Sequence, residues 1–167
     1  TIASNDSPTA RPLAVYDDEH RLVALEKLDQ SPAAVVLGTA LIAAAPVHFL
    51  LSGIGDAIAK KFEAEEAWRL GSMNFHGTPA LHTAIVIANG CYETLRSYGV
   101  AGVAAAKRHE VNDALEAVIE ANLLMSGLGW ESGGLSVAHG VVRGISQARI
   151  TNGLHGMHVA CGLLVQL

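Results

Sequence analysis

From Pro46 to the last residue, apolar side chains recur at helical spacing between glycine and proline punctuation. This pattern constrains the fold more than any single motif, because it predicts helices in succession with short connections. The expected helices cover 46–51 (ended by Ser52-Gly53), 56–70, 79–98 (with Thr78 as N-cap and Gly99 as C-cap glycine), 112–126 (ended by Gly127), a stretch from about Gly134, and a last segment from about His155. In 112–126, one side should hold Leu115, Val118, Ile119 and Leu123.

The N-terminal part of the chain has a different pattern. Residues 1–12 are small, polar and interrupted by proline, which is typical of a loop or linker. Two apolar runs on either side of the acidic turn Asp17-Asp18-Glu19 predict a β-hairpin, and a third short strand is expected over Ala34–Leu37, ending at Gly38. We therefore expect a mainly α protein, in which a short N-terminal β-meander precedes a helical bundle.

The charge balance and the cysteine content exclude some classes of function. The chain has 167 residues, of which 50% are hydrophobic, and its 11 Lys and Arg against 16 Asp and Glu give a net charge of −5. Nucleic-acid binding is not expected, because it needs a clustered positive field. No apolar run reaches transmembrane length. The two cysteines, Cys91 and Cys161, are far apart, which excludes a four-cysteine zinc site and indicates a reducing cytoplasm.

Four residues are candidates for metal chemistry, and each also has a structural explanation. Asp56 is expected to open a helix, where a carboxylate complements the helix dipole. His139 lies among apolar residues and is either a core histidine or a ligand. His155 and His158 share one helix face. If Asp56, His139 and one histidine of that pair converge, the set suits Zn²⁺ or Fe²⁺. Spacing alone does not establish this convergence.

Four blocks of the sequence resemble the glycerol dehydrogenases, a group that includes iron-containing alcohol dehydrogenases and is similar to dehydroquinate synthase. The blocks are "TIASNDSP", "GIGDAIAKKFEAE", "VIEANLLMSGLGWESGGLSVAHG" and "LHGMHVACGLLVQL". The resemblance implies that residues 1–45 are a remnant of an α/β nucleotide-binding domain. Residues 46–167 would be the helical metal-binding domain of this fold, incomplete at its C-terminal end. The pyrophosphate-binding loop would precede Thr1, and closing helices would follow Leu167.

The resemblance also implies an activity, namely NAD-linked oxidation of a secondary hydroxyl of glycerol or another 1,2-diol by a cytoplasmic, homo-oligomeric enzyme. By position, it assigns metal binding to Asp56, His139 and His155, substrate binding to Asp6 and His139, and cofactor binding to Thr1, Ser4 and Tyr16. Lys60 replaces the fourth histidine ligand of the iron enzymes, which favours zinc over iron. His158 gains no role. The alternative is a non-catalytic metal-binding helical domain that assembles with another copy or a partner.

Overall fold

The computed structural model describes residues 2–18, 22–148 and 153–167, and only the backbone of 146–148. The described elements are two strands, seven α-helices and one π-helical turn. In chain order they are β1 (Pro12–Tyr16), β2 (Leu22–Lys27), α1 (Thr39–Ala44), α2 (Val47–Leu70), α3 (His82–Lys107), α4 (Asp113–Glu120), the π-helical turn (Ala121–Met125), α5 (Ser126–Gly133), α6 (Val137–Ala148) and α7 (His155–Gln166). The mainly helical class is therefore confirmed.

The N-terminal strands form the expected hairpin, but the prediction of a third strand over residues 34–37 is wrong. β1 pairs with β2 in antiparallel register, from Pro12 opposite Lys27 to Val15 opposite Ala24, and an irregularity follows at Tyr16. Residues 34–37 are irregular, and Val36 is 91% exposed. No described strand lies beside them, so the β-propensity of the two valines has no ladder to join. The chain instead enters α1, which buries Ile42 and Ala43.

Helix α2 is continuous where the sequence predicted two helices separated by glycines. Its 24 residues run from Val47 through Gly53 and Gly55 to Leu70. The glycines are contact points: a Cβ on Gly53 would overlap the Ala3 carbonyl oxygen, and one on Gly55 would lie 2.5 Å from the Gly156 carbonyl oxygen. A glycine selected for close backbone approach looks, in sequence, like a helix stop.

Helix α3 also differs from its predicted limits. It begins at His82, because Thr78 bonds to the Asn74 side chain at 3.1 Å and Pro79 pairs with Met73 in an isolated bridge. It runs past Gly99 to Lys107, so Gly99 is an interior helical residue and the predicted C-cap is wrong. A Cβ at Gly99 would meet nothing within 4 Å.

The predicted 112–126 helix has its expected start and its expected buried face. Asn112 caps α4 by accepting a 3.0 Å hydrogen bond from the backbone N–H of Leu115. The four predicted apolar residues are at most 2% exposed: Leu115, Val118, Ile119 and Leu123. Gly127 does not end the helical path, which continues through the π-helical turn and α5 to Gly133. Among the described helices, none has the length and hydropathy that a membrane span requires.

Helix α7 begins at His155 as predicted, and its glycines bring it against two other helices. A Cβ on Gly156 would overlap the Ser52 carbonyl oxygen of α2, and one on Gly162 would overlap the Ala138 carbonyl oxygen of α6. Small residues at these two crossings allow the helix backbones to touch. As a consequence, the residues next to these crossings, Asp56, His139 and His155, are brought to one place.

We expect Gly156→Ala and Gly99→Ala to change stability in opposite directions. The first places a methyl group on the α2 backbone and should lower the free energy of unfolding by at least about 2 kcal/mol. The second replaces an interior helical glycine without a clash and should raise it by about 0.5–1 kcal/mol. Urea denaturation followed by circular dichroism measures both. Destabilisation by Gly99→Ala would contradict the absence of a clash at this position.

Candidate metal centre

Three side chains from three helices converge at the crossing of α7 with α2 and α6. One ligand atom from each of Asp56, His139 and His155 lies within 4.8 Å of the others. Asp56 Oδ1 is 3.4 Å from His139 Nε2 and 3.9 Å from His155 Nε2. Tetrahedral zinc with bonds of about 2.0–2.1 Å separates its ligands by about 3.3 Å. One carboxylate and two imidazoles at these separations therefore suit a divalent transition metal, and three protein ligands leave a fourth tetrahedral position without one.

The structure excludes the helix-dipole explanation for Asp56. The residue lies in the interior of α2, beyond the first turns, and is 1% exposed. Burial by itself would raise the pKa of this carboxyl group. The Lys60 ammonium and the hydrogen bond to His139 outweigh burial and hold the pKa of Asp56 well below its usual range. Asp56 is therefore a buried carboxylate, which requires a cation nearby.

His139 is held by a buried carboxylate that the sequence reasoning missed, Glu63. Glu63 Oε2 lies 2.6 Å from His139 Nδ1, and Glu63 Oε1 accepts hydrogen bonds from the backbone N–H groups of Ser136 at 2.9 Å and His139 at 3.0 Å. A carboxylate on Nδ1 fixes the ring so that Nε2 faces the ligand cluster. Burial and Lys60 oppose protonation, yet hydrogen bonds to Asp56 and Glu63 raise the pKa of His139.

The sequence did contain a signal for Glu63. Asp56, Lys60 and Glu63 follow one another at i, i+4 and i+7, which places them on one face of α2. Three ionisable residues on one helix face form a polar stripe, although the neighbouring Lys61, Glu65 and Glu66 make its burial evident only from the structure. Each of the three is at most 1% exposed.

His155 is the first residue of α7 and is ready to act as a neutral ligand. Burial lowers the pKa of its imidazole to about 4, although the Asp56 charge opposes this. The neutral ring has a lone pair to offer at neutral pH. His158 lies one turn later, is half-buried, and is not part of the three-ligand group that the described residues form.

Lys60 lies within this cluster and is 1% exposed. Its Nζ is 2.5 Å from Asp56 Oδ1, 3.4 Å from Asp6 Oδ2 and 3.4 Å from His139 Nε2. Burial would lower the pKa of the ammonium, but Asp56, Asp6 and Glu63 outweigh it and raise that pKa above its usual value. The position that the resemblance aligns with a histidine ligand of the iron enzymes thus holds a buried cation.

Of the predicted substrate and cofactor residues, Asp6 contacts the cluster through Lys60, whereas Ser4 and Tyr16 lie farther out. Asp6 is 8% exposed, accepts a 2.5 Å hydrogen bond from the Ser126 hydroxyl and has a pKa raised by burial. The Ser4 carbonyl oxygen accepts a 3.0 Å hydrogen bond from the Ser52 hydroxyl on α2. Partial burial, and then the charge of Asp56, raise the pKa of the Tyr16 phenol, which places Tyr16 within electrostatic reach of the cluster. Thr1 lies outside the described residues.

Comparison with known proteins was made by sequence and by structure. The chain is 42% identical over 168 aligned residues to glycerol dehydrogenase from Pseudomonas putida, covering all of this chain and 46% of that protein. It is 40% identical, with the same coverage of both, to glycolaldehyde reductase from Halobacterium salinarum. The crystal structure of glycerol dehydrogenase from Schizosaccharomyces pombe superimposes with a TM-score of 0.92 at 36% identity, over 99% of this chain and 42% of that one. No protein-family model matches the chain.

These matches define the chain as a homologue of a class of oxidoreductases. Over its whole length it is homologous to the glycerol dehydrogenases, which confirms the resemblance and the fold. The chain spans less than half the length of the curated relatives it matches. Activity, substrate and partners of the whole protein are therefore proposals, treated next.

We expect Glu63→Ala to destabilise the chain by at least about 2 kcal/mol, because it leaves three partly buried hydrogen-bonding groups at Ser136 and His139 without their acceptor. Glu65→Ala is the control. Glu65 pairs with Lys61 at the partly exposed side of the same helix, and its loss should cost at most about 1 kcal/mol. Urea denaturation of both variants checks this, and equal losses would contradict the role of Glu63.

Proposed function

We propose that this chain carries the metal centre and part of the substrate site of a zinc-dependent, NAD-linked glycerol (polyol) dehydrogenase. The observation that supports this most is the convergence of Asp56, His139 and His155 in a homologue of glycerol dehydrogenases. We further propose that residues 1–45 contribute to a nucleotide-binding domain and 46–167 to the helical domain. The enzyme would be cytoplasmic and homo-oligomeric.

A divalent zinc ion held by these three side chains would supply a Lewis acid that lowers the pKa of a substrate hydroxyl. The residues of the chain would contribute by holding the ligands and the substrate in position. Asp56, the anionic ligand, neutralises part of the cation charge. Glu63 keeps the His139 ring oriented, and Asp6 lies beside the cluster, where its carboxyl group can receive a second hydroxyl. Oxidation of the secondary alcohol transfers a hydride to NAD and releases the hydroxyl proton.

The proposed preference for 1,2-diols depends on Asp6. Its carboxyl group and the ligand Asp56 both contact the Lys60 ammonium, at 3.4 Å and 2.5 Å, so the two acidic groups lie a few ångströms apart. A diol bound through one oxygen at the metal would present the neighbouring oxygen toward Asp6. Ser4, Tyr16 and Thr1 would contact the cofactor. The catalytic proposal is preferred to a non-catalytic metal-binding domain, because both curated relatives described above are named as oxidoreductases.

Metal binding should respond differently to the four candidate ligand substitutions. We expect Asp56→Ala, His139→Ala and His155→Ala each to lose the zinc bound by the wild-type chain, since each removes one of three ligands. His158→Ala should retain it and is the matched control on the same helix as His155. Zinc content after equilibration and gel filtration, measured by mass spectrometry, checks this. Equal loss in the His155 and His158 variants would contradict the ligand assignment.

Asp6→Asn should affect turnover without affecting metal content. In the full-length protein that contains this sequence, we expect glycerol-dependent NADH formation to fall by about tenfold or more, because a neutral amide oxygen accepts a hydroxyl hydrogen bond more weakly than a carboxylate oxygen does. At saturating zinc, the zinc content should remain that of the wild type, so that a loss of turnover is not a loss of metal. Asp29→Asn, at an exposed position, should change neither. An unchanged rate in Asp6→Asn would contradict the substrate role.

A further inference from the structure

The Lys60 ammonium lies where a metal cation would find its ligands. It is 2.5 Å from Asp56 Oδ1, the carboxylate oxygen nearest both histidines, and 3.4 Å from His139 Nε2. Its side chain is 1% exposed, so water contributes almost nothing to its solvation. The protein therefore stabilises this charge in part with two atoms that would bind a metal, Asp56 Oδ1 and His139 Nε2.

The next residue, Lys61, does not share the contacts of Lys60 with the ligand cluster. Lys61 is partly exposed and bonds to Glu65 Oε1 at 2.9 Å and Asn89 Oδ1 at 2.7 Å, on another face of α2. It takes no part in the described ligand cluster. The two residues have the same chemistry and adjacent positions, which makes Lys61 a matched control.

Two cations cannot share Asp56 Oδ1 without strong repulsion, because Asp56 and Lys60 are each 1% exposed and the charges would be only a few ångströms apart. Among the described residues, Asp6 offers Lys60 a second carboxylate, with Oδ2 3.4 Å from Nζ. A small rotation of the lysine side chain toward Asp6 would release Asp56 while keeping the ammonium paired. A buried ammonium needs such a second carboxylate if it is to leave the first.

Building on the proposed metal centre, we propose that Lys60 is an internal competitor of the divalent cation. In the metal-free chain its ammonium neutralises the buried Asp56 and Asp6. On metal binding it gives up Asp56 and pairs with Asp6. Lys60 thus lowers the affinity of the centre for metal and protects the metal-free fold from an uncompensated carboxylate.

Lys60→Met tests this proposal against Lys61→Met. Zinc affinity is measured by competition with a chromogenic chelator, and melting temperature is measured with and without saturating zinc. We expect Lys60→Met to bind zinc at least about tenfold more tightly than the wild type, because a repelling cation is gone. Its melting temperature without zinc should be lower than that of the wild type, and saturating zinc should raise its melting temperature by more. Lys61→Met should bind zinc as the wild type does. Lys60→Gln is a second neutral variant, with the same expectation, should Lys60→Met fail to fold.

The possible results separate the two proposals. The competitor role is overturned if the wild type binds zinc and Lys60→Met or Lys60→Gln binds it with unchanged or lower affinity. If the melting temperature of such a variant is also lower, Lys60 is a structural ion-pair residue. Absence of zinc binding in the wild type and in both neutral variants overturns the metal centre itself.

Discussion

The site depends on the close backbone contact between α2 and α7. Gly55 and Gly156 meet where any larger residue would overlap the opposite carbonyl group, and Gly162 makes a similar contact with Ala138 of α6. Each glycine contact adjoins a chemically active residue: Asp56 follows Gly55, His155 precedes Gly156, and His139 follows Ala138. Helix axes usually pack 8–10 Å apart, set by the side chains between them. Glycine and alanine bring the backbones nearer, so short side chains can reach one point.

The second constraint is electrostatic. Three buried carboxyl groups, Asp6, Asp56 and Glu63, surround one buried ammonium, Lys60. Burial alone would neutralise such groups, but their mutual pairing keeps Asp56, Glu63 and Lys60 charged, as the directions of their pKa shifts show. Much of this charge converges on His139, whose ring contacts Glu63 on one side and faces Asp56 and Lys60 on the other. The stability of the fold and the proposed metal binding therefore depend on the same charged side chains.

The sequence predicted structure correctly at positions where the residue type has a single common structural role. The buried face of Leu115, Val118 and Ile119, the Asn112 cap and the start of α7 at His155 all follow from helical period and capping chemistry. The predicted helix ends at Gly53, Gly99 and Gly127 are wrong, because each of these glycines is an interior residue of a helical segment. A glycine can end a helix or allow another backbone to approach, and only the neighbour distinguishes the two.

By itself, the sequence determined the helical class, the buried helix faces and, through its four characteristic blocks, the homology to glycerol dehydrogenases. Those properties are local in the chain or preserved in its order. The tertiary structure alone decided that Asp56, His139 and His155 meet, that Glu63 orients His139, and that Lys60 is buried among them. These relations join residues up to about a hundred positions apart. Contacts of a few ångströms across a helix crossing produce no periodic pattern in the sequence, so helical spacing does not predict them.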